Sequence, residues 1–230
     1  MIETILHPRI TENEDWATTL FVLSFAIIAI TKSIFENRFG DFANLIFSNK
    51  YTKVYKDNSN LKSGFTIALF LVQVISLAFF IQISLSYFGY ASKTDWVLYI
   101  QIFTFLIFFI SSKYLIEKII ATSFNIEEFM DQFNLQKVTY RTYIGLLILP
   151  INVILFYYDS FSRNIPLAII ATALLVNVLT YLISIKNYQN VILGKLFYFI
   201  LYLCALEIAP YYFMYYWLIK GNAYKTFRYE

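Results

Sequence analysis

Apolar residues in this chain do not alternate or recur in a narrow stripe. They come in unbroken runs of about 16 to 25, parted by short polar stretches, as helices that cross a bilayer require. Six spans follow from the pattern, at residues 16–31, 64–87, 96–116, 143–158, 166–185 and 191–219. The connections FGYASKTD, DSFSRNI and KNYQN are short, so the spans they join are expected to pack antiparallel. No internal repeat or low-complexity linker interrupts the series. The expected fold is all-α: a polytopic membrane bundle of about six transmembrane helices forming one domain over 1–230.

The two longer connections carry patterns of their own. In DFANLIFSNKYTKVYK, Asp41 is placed to cap a short helix with Phe42, Leu45 and Ile46 on one face, followed by Lys50, Lys53 and Lys56. Such a piece is expected to lie on anionic headgroups. In NIEEFMDQF, Asn125 is placed as a cap with Glu128 at the reciprocal position. There Ile126, Phe129, Met130 and Phe133 face one way, and Glu127, Glu128 and Asp131 face another. An anionic surface repels that acidic face, so it is read as a protein-contact segment, with packing on its own bundle as the alternative.

Composition agrees with a membrane protein and excludes a soluble domain. The chain is 59% hydrophobic and 14% charged, with a mean hydropathy of +0.60; soluble domains are nearer half apolar and a quarter charged. The aromatic share of 20% suits lipid-facing and interfacial positions. One cysteine, Cys204, excludes an intramolecular disulfide and a cysteine cluster, and the one histidine, His7, lies in a polar N-terminal stretch. No metal or cofactor is therefore expected. MIETILHPRITENED is too acidic and too weakly apolar for a secretory signal.

Lysine and arginine set the expected orientation. Twelve of them (Lys32, Arg38, Lys50, Lys53, Lys56, Lys62, Lys113, Lys118, Lys137, Arg141, Lys186 and Lys195) fall on one side of the six-span layout. Arg9, Lys93 and Arg163 fall on the other. The N-terminus is thus expected outside and the long loops in the cytoplasm. The tail cations Lys220, Lys225 and Arg228 fit this less well, since six crossings place them outside.

Candidate chemistry lies in polar residues within the spans. Glu207 is the one charge between Lys195 and Lys220, and a helix over that stretch places it near mid-membrane. An ionised carboxylate there costs roughly 2.5–3.5 kcal/mol, so Glu207 must be partnered, hydrated or protonated. Gln73, Asn152 and Asn177 fall at about 12–14 Å from the cytoplasmic ends of their helices. Pro150 and Pro210 break two of the same spans. Structurally, these groups are interhelical hydrogen-bonding partners; functionally, they are a proton path or a polar pocket.

No histidine sits in a span, no second membrane carboxylate stands beside Glu207, and no Gly-rich phosphate loop or HExxH occurs. The chain is read as not an enzyme. The leading expectation is a membrane subunit or assembly factor, whose partners are membrane lipids and either a membrane protein or a second copy, with no nucleic acid. The alternative is a small proton, lipid or metabolite carrier using Glu207.

Three stretches carry a resemblance: YRTYIGLLILPINVILFYY (140–158), LYLCALEIAPYYFMY (201–215), and the first span followed by FENRFGDFANLIFSNKY. They resemble an uncharacterised family of multi-spanning inner-membrane proteins of Bacteroidota, a domain of unknown function. Its recognisable elements are the pattern from Gly145 to Pro150 and the pattern from Leu206 to Pro210. The resemblance implies an inner-membrane location among envelope biogenesis and secretion proteins and assigns no catalytic residue.

Overall fold

The computed structural model describes residues 14–46, 50–55, 63–123 and 127–158, with isolated positions at Ala168, Ala171, Thr172 and Tyr212. Apart from those positions, the expected spans 166–185 and 191–219, with Asn177, Glu207 and Pro210, lie outside the described residues. So do Lys56 and Asn125. Among the described residues the elements are α1 (Asp15–Ile34), α2 (Glu36–Ala43), a 3-10 turn (Asn44–Ile46), α3 (Lys50–Val54), α4 (Gly64–Tyr87), α5 (Trp96–Ser123) and α6 (Glu127–Tyr157). They include no strand. Four helices are long and apolar enough to cross a membrane: α1, α4, α5 and the part of α6 from Asp131 to Tyr157.

Local sequence explains the boundaries. Ser63 caps α4 by accepting from the Thr66 backbone N–H at 3.4 Å. The helix ends where Gly89 adopts φ +81°, with Gly89 N–H bonded to Ser86 O and Tyr90 N–H to Leu85 O, both at 3.0 Å. That pattern needs a residue without a β-carbon. Asp95 then opens α5 by accepting from the backbone of Val97 and Leu98 at 3.0 and 3.2 Å. Buried Gln82 ties this turn to α4, donating to the carbonyls of Ser92 and Asp95.

Two boundaries differ from expectation. α5 continues past 116 to Ser123, and α6 begins at Glu127 rather than near 143. The apolar runs stop at Lys113, Glu117 and Lys137, but lysine and glutamate are good helix formers. Here Glu117 and Lys137 pair between α5 and α6, so the helices continue. The acidic stretch 127–134 is accordingly the first two turns of α6 and not a separate amphipathic helix. Asp41 also differs: it lies within α2, which starts at Glu36, and pairs with Lys50 at 2.8 Å.

α4 is the central helix, with 56% of its most apolar window buried against 11% for α5. At one end of the bundle Trp16 and Phe21 of α1 meet Phe79 of α4, Tyr99 of α5 and Phe156 of α6. Phe21 and Phe79 stack at 4.2 Å between ring centres. This aromatic end collects the start of α1 and the ends of α4 and α6, so α1 runs antiparallel to both.

The other, looped end carries α2 and α3. Phe42, Leu45 and Tyr51 pack there on Phe65 and Leu69 of α4. Phe42 and Leu45 thus face the bundle's own core, because Phe65, Leu69 and Tyr143 of the spans offer them a complementary aromatic surface.

Candidate functional site

The polar groups of α4 and α6 meet in a seam. Gly145 makes it possible: a β-carbon on it would stand 2.7 Å from Gln73 Cγ and 3.2 Å from Gln73 Cα. Small residues let membrane helices approach this closely. Beside the contact, Thr142 Oγ1 donates to Gln73 Oε1 at 2.8 Å. One turn along α4, Asn152 Nδ2 donates to the Ser76 carbonyl at 2.7 Å and to Ser76 Oγ at 3.2 Å. Gln73 and Asn152 are 1% and 0% exposed. Each such contact is worth roughly 0.6 kcal/mol on average in a membrane protein.

The seam is not fully satisfied. Among the described residues Gln73 Nε2 and Asn152 Oδ1 have no hydrogen-bond partner. The Asn152 orientation is fixed by chemistry, because a carbonyl such as that of Ser76 only accepts, so Nδ2 must face it and Oδ1 must face away. The seam therefore offers one donor and one acceptor without a net charge. A water, a hydroxyl, an amide or a protonated carboxyl complements that pair.

α6 does not stop at Pro150. The helix passes through it to Tyr157, and Pro150 itself is exposed. Without an N–H it gives no donor to the Leu146 carbonyl.

A second polar cluster lies nearer the looped end. Lys137 of α6 donates to Glu117 Oε1 of α5 at 2.8 Å, with side chains 13% and 3% exposed. Lys113 is buried one turn before Glu117, and Asn134 and Gln136 are buried on α6. Glu117 lies about 32 Å along α5 from Trp96, and Lys137 about 30 Å along α6 from Tyr157. A bilayer's hydrocarbon is about 30 Å thick, so the pair sits at its edge. Sequence reasoning missed Glu117 as a buried carboxylate, since the apolar run ends at 116. The signal was the four-residue spacing of Lys113 and Glu117, which puts both on one face of a helix.

At the looped end Arg38, only 9% exposed, donates to Tyr51 OH, Ser63 Oγ and Thr66 Oγ1 at 2.9–3.3 Å. Its guanidinium lies 4.6 Å from the Phe65 ring centre and 4.9 Å from that of Tyr55. Burial raises the Tyr51 hydroxyl above its ordinary pKa of 10.0, and neighbouring Arg38 partly offsets this. The hydrogen bond to Asp41 raises Lys50.

Of the expected site residues, the structure brings Gln73 and Asn152 into one layer. Glu127 is exposed and Asp131 half-buried at the start of α6, while Phe133 is buried. The side chains of Glu128, Phe129 and Lys53 lie outside the described residues. Lys50 is exposed beside Asp41. No group of three histidine, cysteine, aspartate or glutamate side chains that could hold a metal occurs among the described residues.

The family DUF4271, a domain of unknown function, matches residues 17–218. The chain belongs to this family. The DUF4271 match takes in the seam, the Glu117–Lys137 pair and the sequence after α6 as far as residue 218. No curated protein and no solved structure matches the chain. The expectation of an uncharacterised family is met, and the DUF4271 description itself assigns no chemistry.

Proposed function

We propose that this chain is a non-enzymatic integral subunit or assembly factor of a cell-envelope biogenesis or secretion complex. It would sit in the inner membrane of a Bacteroidota cell with its N-terminus in the periplasm and its looped end in the cytoplasm. One observation carries the reading. Among the described residues, three buried polar or ionic contacts join the chain's own helices (Thr142 to Gln73, Asn152 to Ser76, Lys137 to Glu117). α5 meanwhile turns an apolar face outward through Val97, Ile100, Phe105 and Phe108. A braced bundle with an apolar flank is suited to receive other membrane helices. The acidic start of α6, with Glu127 exposed, adds a cytoplasmic contact for a basic segment of the partner.

Crosslinking in cells followed by mild-detergent purification tests this. A stoichiometric membrane partner is expected, and charge reversal at Glu127, Glu128 and Asp131 together should weaken its recovery without lowering the accumulation of the chain. A clean monomer or homo-oligomer after crosslinking contradicts it.

A second reading is a small carrier for a proton, lipid or metabolite, with Glu207 as its titrating group. The unpartnered Gln73 Nε2 and Asn152 Oδ1 favour it, since a buried donor and acceptor suit a polar guest in transit. The two readings part at Glu207.

A further inference from the structure

A groove of about 400 Å³ opens between α4, α5 and α6 on the looped half of the bundle. Its walls include Thr66 and Phe70 of α4, Ile110, Tyr114 and Leu115 of α5, and Val138 of α6. Leu115 also lines a second hollow, of about 390 Å³, which continues along α5 past Lys118 to Thr122 and Ser123. Along a single stripe of α5 the lining thus passes from Ile110 and Leu115 to a mouth where Lys118, Thr122 and Ser123 stand beside Ile119.

Depth gives the stripe its meaning. Measured along α5 from Trp96, Ile110 lies at about 21 Å, Leu115 at about 29 Å and Lys118 at about 33 Å. The hydrocarbon of a bilayer is about 30 Å thick. The apolar part of the groove therefore lies at acyl-chain depth, and Lys118 stands where the headgroup phosphates begin. Positive charge also reaches the α4 wall, where the Arg38 guanidinium donates to Thr66 Oγ1 at 3.3 Å.

We infer that this groove is a binding site for one anionic glycerophospholipid of the leaflet at the looped end. An acyl chain occupies the slot beside Phe70 and Ile110, and the phosphate meets the Lys118 ammonium. An acyl chain alone explains the apolar slot but not the cationic mouth. A free phosphate explains the mouth but not the slot. The groove fits an amphiphile that has both.

Native mass spectrometry of the full chain in mild detergent tests the site, with phosphatidylglycerol, phosphatidylcholine and inorganic phosphate as probes. The unaltered chain should retain one phosphatidylglycerol about fivefold more strongly than phosphatidylcholine, the worth of one basic residue at a membrane surface. Lys118→Gln should bring that ratio close to one while keeping lipid bound. Ser111→Trp, which fills the groove from its α5 wall, should lower retention of both lipids. Ile116→Trp is the control, because Ile116 is 45% exposed and turned away from the stripe; it should change neither. Equal retention of the two lipids by the unaltered chain overturns the inference, as does a preference that survives Lys118→Gln. Displacement of the lipid by inorganic phosphate at similar concentration also overturns it, pointing to a free-phosphate site. If Ser111→Trp does not fold, the headgroup ratio in Lys118→Gln still decides.

Discussion

Gly145 and Gln73 hold α6 and α4 so close that a β-carbon on Gly145 would stand 2.7 Å from Gln73 Cγ and 3.2 Å from the Gln73 backbone. The contact predicts the sign of a substitution that helix propensity predicts the other way. Alanine is favoured over glycine inside a helix by about 1 kcal/mol, so at a loose crossing Gly145→Ala would stabilise. At this crossing the helices must move apart, with a cost on the order of 1–3 kcal/mol. Thermal denaturation in detergent should show a lower midpoint for Gly145→Ala. A higher midpoint would mean that the helices do not touch as described.

The Glu117–Lys137 pair predicts a different pattern. Removing one partner leaves the other charge buried at the membrane edge, so Glu117→Gln or Lys137→Met should each destabilise by on the order of 3 kcal/mol. The double substitution should cost less than the sum of the two. A double-mutant cycle measures that coupling, and strict additivity would show that the pair does not interact.

Tyr51 gives a prediction with a pH sign. Its folded-state pKa is raised above 10.0 because burial outweighs the nearby Arg38 charge. As pH climbs past about 10 the unfolded chain releases this proton first, so the hydroxyl's contribution to stability is complete below that pH and fades above it. Tyr51→Phe loses the acceptor for Arg38 and should be less stable at neutral pH by about 1.5–3 kcal/mol. The gap between the two proteins should narrow above pH 10. Melting curves across that range decide it, and a gap that widens with pH contradicts the assignment.

Much of the bundle is legible in apolar run length alone, because a membrane helix has to satisfy its backbone internally. That logic places α4 at its observed bounds and ends α1 three residues short of Ile34. It fails where charge enters a helix: Glu117 and Lys137 read as lying outside the spans, yet each becomes tolerable through the other on a neighbouring helix, which run length cannot see. Gln73 and Asn152 were recognisable as costly polar groups at similar depth. Their partners Thr142 and Ser76 were not, since small hydroxyl residues are common in membrane helices and reveal a role only when the crossing is known. The loop 35–63 misled for a related reason. Its apolar face looks ready for headgroups, but Phe65 and Tyr143 cover Phe42 from the bundle side.

The central claim is that intramembrane polar groups in this chain brace its helices and do not carry a proton. Glu207→Gln tests it most directly, because glutamine keeps the shape and much of the hydrogen bonding of a neutral glutamic acid but cannot ionise. The measurement is complementation of a deletion strain, with accumulation of the chain followed in parallel and Glu207→Leu as the comparison. The subunit account predicts that Glu207→Gln complements fully, while Glu207→Leu, whose side chain can form no hydrogen bond, fails to accumulate. A Glu207→Gln chain that accumulates normally and does not complement would contradict it and leave the carrier reading in its place.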